Sequence, residues 1–142
     1  MKLSHLLQDM AECLADREIP GLQLDSRLIR PGDAFIAVNG ALQHGLTHAD
    51  QALRNGAVAV IYDPAGADED VVLRVVQAAP IAVPVVDLDR RLGEIAARFH
   101  DHPSKALNVI GITGTNGKTT CSQLIAQALP NHGVIGTLGW GQ

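Results

Sequence analysis

The chain has 142 residues, a formal net charge of −4, 46% hydrophobic residues and 3% aromatics. That length allows one ordinary domain, or a small domain with part of another. So few aromatics leave a core of Val, Ile, Leu and Ala, the palette of buried parallel strands, and no Lys/Arg cluster with stacking aromatics exists, which excludes a nucleic-acid surface.

The first residues carry Gln8, Asp9 and Glu12 among apolar ones, so they read as an amphipathic helix and not as a signal peptide. Leu3, Leu6, Leu7, Met10 and Leu14 recur at helical spacing, with Ser4 as the candidate cap. No apolar run approaches membrane-spanning length. An Ile19-Pro20-Gly21 break leads into a short extended run over 21–24 that ends in Asp25-Ser26-Arg27. Arg30-Pro31-Gly32-Asp33 is a turn signal, and residues 34–38 (AFIAV) form a buried strand. A polar loop over 39–46 follows. Thr47 with Asp50 suggests a capping box for a short helix that stops at Gly56. Residues 57–62 (AVAVIY) are another strand, stopped by Asp63-Pro64. The stretch 67–79 favours a helix through its acidic start and the spacing of Val71, Val72, Val75 and Val76, against its β-branched content. Residues 81–86 are a short or edge strand because Pro84 interrupts them. Leu88–Phe99 is an amphipathic helix with Leu88, Leu92, Ile95, Ala96 and Phe99 on one face.

The stretch 107–129 (LNVIGITGTNGKTTCSQLIAQAL) carries the chemistry. It predicts a strand over 107–113, a turn made of Gly114, Thr115, Asn116 and Gly117, and a helix opened by Lys118, Thr119 and Thr120. Such a turn aims successive N–H groups and the positive helix end at one spot, which suits a polyphosphate. Lys118 would reach the β/γ-phosphates, and the Thr119 hydroxyl would sit where Mg²⁺ is held. The strict P-loop pattern wants glycine where Ile112 stands, so the match is one of physical parts. A short strand at Val134 and Ile135 runs into Gly136-Thr137-Leu138-Gly139.

Alternating strands and helices argue an α/β fold, divided near Asp87 into segments 1–87 and 88–142. A nucleotide-binding sheet needs several strands beyond the P-loop helix, one of them with an acidic end for Mg²⁺. Roughly one strand fits after Leu129, so the expectation is a first domain plus the opening of a second. Plainer readings stand beside these. Ser26 can be a turn residue bonding its own backbone, and Asp25 with Arg27 a local ion pair. His44/His48 and His100/His102 lack an acidic third ligand and zinc-like spacing. Cys13 and Cys121 sit on separate predicted helices, which suggests no disulfide and a reducing cytoplasm as the location. Cys121 reads as a small core residue.

Leu24-Asp25-Ser26-Arg27, then residues 31–38 (PGDAFIAV), then GITGTNGKTT, taken with the GTLG at 136–139, resemble the Mur ligase family along the whole chain. The likeness is to the UDP-N-acetylmuramoyl-L-alanyl-D-glutamate ligases (MurE type), which add the third residue of the peptidoglycan stem peptide. The MurF-type branch usually shows Asp-Thr-Arg where this chain has Asp25-Ser26-Arg27. Folylpolyglutamate synthetases share the P-loop style without a UDP domain. The resemblance implies a mixed-sheet, UDP-binding N-terminal domain, followed by the first strand, P-loop and helix of a central ATPase domain. It implies ATP-dependent amide formation through an acyl phosphate, with ATP and Mg²⁺ as cofactors. The partners it implies are UDP-muramoyl-dipeptide and an amino acid, diaminopimelate or lysine; the protein would be a cytoplasmic monomer without nucleic-acid or membrane partners. Carried over by position, Gly114, Thr115, Asn116, Gly117, Lys118, Thr119 and Thr120 hold ATP's phosphates, with Lys118 and Thr119 catalytic and Thr119 at the metal. Leu24 and Ser26 hold the uridine end, and Ala41, Leu42 and Gln43 contact UDP through their backbone. The family's remaining ligands would lie beyond Gln142, so residues 1–142 alone are not expected to catalyse ligation. The competing expectation is a stand-alone nucleotide-binding or regulatory module.

Overall fold

The computed structural model describes residues 1–12, 15–136 and 139–141. It contains two compact units, Met1–Pro103 and Ser104–Gln142. The first holds a sheet of four strands in sequential order: β1 (Leu22–Gln23), β2 (Ala34–Ala37), β3 (Ala59–Tyr62) and β4 (Ala82–Pro84). All neighbouring strands run parallel, with Phe35 level with Val60 and Ile61 with Val83. The expected mixed sheet is therefore corrected to a parallel one. Each connection crosses back before the next strand begins, through α2 (Ala49–Arg54) between β2 and β3 and α3 (Glu69–Ala78) between β3 and β4. Strand β4, with Pro84, lies at the sheet edge as expected.

Every residue of β2 and β3 is buried, as befits strands covered on both faces. The two-residue alternation sorts them. Ala34, Ile36, Ala59, Ile61 and Val83 face a core completed by Leu3 and Leu6 of α1 (Leu3–Leu6), Leu7, and Leu88 and Ile95 of α4 (Leu88–Phe99). Phe35, Ala37, Val60 and Tyr62 face the other core, with Ala49 and Ala52 of α2 and Val75 of α3. Helix α4 thus belongs to the first unit, and the boundary expected at Asp87 falls inside it. Its buried stripe is Leu88, Leu92, Ile95 and Phe99, whereas Ala96 is exposed at the flank. Helix α3 starts on a side-chain cap, Asp68, whose carboxylate accepts from the N–H groups of Asp70 and Val71.

Three local expectations are corrected. Helix α1 is a single turn, since the chain turns left-handed at Asp9 (φ 67°) and Arg98 of α4 donates to the carbonyls of Leu6 and Gln8. Leu14 and Cys13 lie outside the described residues. Ser4 is not the cap: Lys2 holds that position, and the Ser4 N–H donates to Asp16. The capping box at Thr47 and Asp50 does not form either. Thr47 Oγ1 donates to the His44 carbonyl, and a 3-10 turn over Gly45–His48 precedes α2.

The second unit has α5 (Lys118–Ala128) and an antiparallel pair, β5 (Val134–Gly136) with β6 (Gly139–Gly141). The strand expected over 107–113 is absent. Leu107, Val109 and Ile110 are exposed, and no strand among the described residues pairs with them. A buried parallel strand needs neighbours for its backbone groups and for both faces. Thr137 and Leu138 lie outside the described residues. No helix among those described is long and apolar enough to cross a membrane.

Candidate functional site

An open cleft of about 450 Å³ lies past the C-terminal end of β1, lined by Leu24, Asp25, Ser26, Arg27, His48 and Gln51. The C-terminal ends of parallel strands are where such sheets place ligands. Residues 24–27 reach it because the chain leaves β1 directly into a 3-10 turn over Ser26–Leu28. Ser26 is buried at 5% exposure; its Oγ donates to Gln51 Oε1 at 2.7 Å. Asn55 Nδ2 donates to the Ser26 carbonyl at 2.8 Å, so α2 holds both ends of this residue. Leu24 presents 55% of its surface, an apolar wall at the mouth.

Asp25 and Arg27 engage each other. The Arg27 backbone N–H and Nε both donate to Asp25 Oδ1, at 3.0 and 2.9 Å, and Nη2 donates to Oδ2 at 2.7 Å. These bonds from Arg27 hold the Asp25 carboxyl at a pKa of about 2, and they raise that of the guanidinium. The pair was expected, and it also forms the side-chain cap of the 3-10 turn.

The loop after β2 connects to the same cleft. Gln43 Nε2 lies 2.6 Å from His48 Nε2, which ties the loop to the cleft wall, while Leu42 is fully exposed. His44 Nδ1 accepts from the Leu46 N–H, so the ring proton sits on Nε2, which donates to the Asp63 carbonyl at 3.0 Å. His44 is thereby a structural cap, and no metal-holding cluster of His, Cys, Asp or Glu exists among the described residues. A Cβ on Gly45 would stand 2.8 Å from the Ala37 Cα, so the loop lies directly against β2. The structure therefore gathers Leu24 and Ser26, and through Gln43 the edge of the 41–43 loop. Sequence reading missed Gln51 and saw His48 only as a metal candidate. Gln51 is 25 residues from Ser26, and only a helical-face argument for α2 could have pointed to it.

The second candidate site is the loop before α5. Gly114 (φ 144°) and Gly117 (φ 77°) take backbone conformations that side chains resist. Gly117 is the residue preceding the helix. Lys118 Nζ donates back to the Gly114 carbonyl, drawing the ammonium over the loop, and Ser122 Oγ bonds the Thr119 carbonyl. Thr115, Asn116, Thr119 and Thr120 are exposed around it, as is Cys121, a free thiol, so the core position expected for Cys121 is corrected. Nucleotide phosphates fit this donor set: a lysine, hydroxyls, and the N–H groups of a first helical turn that has no intrahelical acceptors. Mg²⁺ fits it in part. All 15 carboxylate side chains of the chain lie before residue 104, so this unit offers a cation a hydroxyl and no acid.

A sequence model described as Mur ligase family, catalytic domain, matches residues 18–100, which lie in the first unit. The chain is 50% identical over 146 residues to the UDP-N-acetylmuramoyl-L-alanyl-D-glutamate–2,6-diaminopimelate ligase of Xanthomonas campestris pv. campestris (strain 8004), covering 99% of this chain and 28% of that protein. A solved UDP-N-acetylmuramoyl-L-alanyl-D-glutamate–2,6-diaminopimelate ligase superposes with a TM-score of 0.63 at 29% identity, over 99% of this chain and 29% of the other. The MurF ligase from Thermotoga maritima in complex with ADP gives 0.52 at 30% identity, over 73% and 22%. The chain thus spans 28% of the length of the curated relative it matches.

Proposed function

Because this chain belongs to the Mur ligase family, we propose that it is the nucleotide-substrate end of an ATP-dependent ligase, together with the opening of its ATPase part. The reaction of the whole protein joins meso-diaminopimelate to UDP-N-acetylmuramoyl-L-alanyl-D-glutamate in peptidoglycan synthesis. The diaminopimelate relative at 50% identity favours that amino acid over lysine. The observation that carries the reading is the convergence of Leu24 and Ser26 on one open cleft at the C-terminal end of a parallel strand. Leu24 offers an apolar surface to a pyrimidine ring, Ser26 a buried hydroxyl, and the backbone at Ala41, Leu42 and Gln43 closes over the nucleotide.

In the second unit, the loop from Gly114 through Thr115, Asn116 and Gly117 to Lys118, Thr119 and Thr120 takes the phosphates. ATP with Mg²⁺ supplies the phosphoryl group that activates the substrate carboxylate. Lys118 would place its charge beside the β/γ-phosphates, the N–H groups of α5 would hold phosphate oxygens, and the Thr119 hydroxyl would be this unit's ligand to the metal. The cation's acidic ligand comes from outside residues 104–142. The substrates are small molecules, met by a monomer in the cytoplasm. Residues 1–142 by themselves bind the nucleotide and do not turn over.

Isothermal titration of the chain with UDP and UDP-N-acetylmuramate tests this. Binding should fall on Ser26→Ala and stay unchanged on Lys118→Ala, which lies in the other unit. No binding, or binding indifferent to Ser26→Ala, overturns the cleft assignment. Phosphate release from ATP in the presence of UDP-muramoyl-dipeptide and diaminopimelate overturns the claim that residues 1–142 are inactive.

A further inference from the structure

We propose that Asn116 is a self-modification site, at which the chain converts its own asparagine to aspartate or isoaspartate inside the loop before α5. Three Asn-Gly pairs occur in the sequence: Asn39-Gly40, Asn55-Gly56 and Asn116-Gly117. Glycine has no side chain to shield its nitrogen, so by sequence alone each pair can react. The structure separates them. Asn55 Nδ2 donates to the Ser26 carbonyl at 2.8 Å, and the Gly56 N–H donates to the Leu53 carbonyl at 3.0 Å, so both reacting groups are held. Asn39 bridges to His44 across the loop after β2, the Gly45 N–H donates to the neighbouring Val38 carbonyl, and the Asn39 amide lies against Gly66. Asn116 is exposed, and neither its side chain nor the Gly117 N–H bonds any group among the described residues. Beyond its chain neighbours, Gly117 (φ 77°) has no heavy atom within 4 Å of the place a Cβ would take, so nothing crowds the approach.

The local charge favours the reaction. Attack needs the Gly117 nitrogen without its proton, and it builds negative charge on the Asn116 side-chain oxygen. The positive end of α5 and the Lys118 ammonium, which donates to the Gly114 carbonyl of the same loop, both stabilise that charge. The Gly117 nitrogen bonds to Asn116 Cγ, the Cγ–Nδ2 bond breaks, and ammonia leaves with the amide proton. Water then opens the cyclic imide. Addition at Cγ gives aspartate; addition at the backbone carbonyl carbon of residue 116 gives isoaspartate, with the chain running through the side chain. Neither route needs an oxidant or a reductant. Both products put a carboxylate at the positive end of α5. On the phosphate reading above, on which this one consequence rests, that carboxylate takes the place of the nucleotide's phosphates and closes the loop to them. The free α-carboxylate of isoaspartate is the kind of acceptor that an S-adenosylmethionine-dependent carboxyl methyltransferase esterifies.

The test is incubation of the 142-residue chain at mildly alkaline pH, with and without urea, followed by digestion and mass spectrometry of the three Asn-Gly peptides. Methyl transfer by an isoaspartyl methyltransferase distinguishes isoaspartate from aspartate. In the folded chain Asn116 should react on the order of tenfold faster than Asn55, where two hydrogen bonds must break first. Asn39 should fall between them. In urea, where those bonds are gone, the three should react within about threefold of one another. Asn39 or Asn55 reacting as fast as Asn116 in the folded chain overturns the proposal, as does an order that persists unchanged in urea. So does an Asn116 that reacts about tenfold more slowly folded than in urea. None of these measurements involves a nucleotide, so each such failure leaves the phosphate reading standing.

Discussion

Asp63→Ala should detach the start of α4 from the sheet. Asp63 is 3% exposed at the end of β3. Its Oδ2 accepts from the buried Leu88 N–H at 3.0 Å and its Oδ1 from the Ala65 N–H at 2.9 Å. The residue before α4, Asp87, has left-handed φ and makes no side-chain cap, so Asp63 caps the helix from 25 residues away. Its carboxylate also lies at the positive end of that helix. Hydrogen bonds to charged groups contribute about 1.5–3 kcal/mol each. In the alanine variant the Leu88 N–H stays buried without its partner, while the Ala65 N–H, only partly buried, regains water. The expected loss is therefore about 3 kcal/mol, against about 5–15 kcal/mol for a typical domain. Urea unfolding followed by far-UV circular dichroism should show a lower midpoint at similar slope. Asp63→Asn keeps one acceptor oxygen and should lose about half as much. A loss under about 1 kcal/mol for Asp63→Ala, or equal losses for both variants, would refute the capping argument.

The Asp25 carboxyl should titrate with a midpoint of about 2 by carbon-13 NMR, because Arg27 donates to its ionised form. Arg27→Gln should return it toward about 3.9. The folded pKa is the depressed one, so the stabilisation is present above about pH 4 and is lost as the pH falls through about 2. Gly45→Ala drives a methyl into the backbone at Ala37 and Val38 and should cost about 1–3 kcal/mol in urea unfolding; a neutral result would mean that the loop lifts off β2 freely. Asp68→Ala removes the two-N–H cap of α3 and should cost about 1 kcal/mol, with amide exchange at Asp70 and Val71 rising first.

Several elements set by local interactions were readable from their residues, whereas the caps expected at Ser4 and at Thr47 with Asp50 were not. The apolar runs of β2 and β3, the stripe of α4 and the acidic start of α3 depend on neighbours within a few positions, and each formed close to where the pattern placed it. The turn ahead of Lys118 was equally legible, because glycines at positive φ and a helix start are short-range features. The strand before it was not. Its apolar residues state a preference for burial, but only pairing partners can meet it, and none among the described residues does.

The sequence by itself determined the main strands and helices of the first unit, the Leu24–Arg27 and Gly-Lys-Thr motifs, and the family that they resemble. Tertiary structure decided that the sheet is parallel, that α4 closes the first unit, and that Ser26 meets Gln51. The physical reason is range. Periodicity and turn chemistry act over three or four residues, whereas the polarity of the cleft depends on two side chains 25 positions apart, brought together by the crossover from β2 through α2.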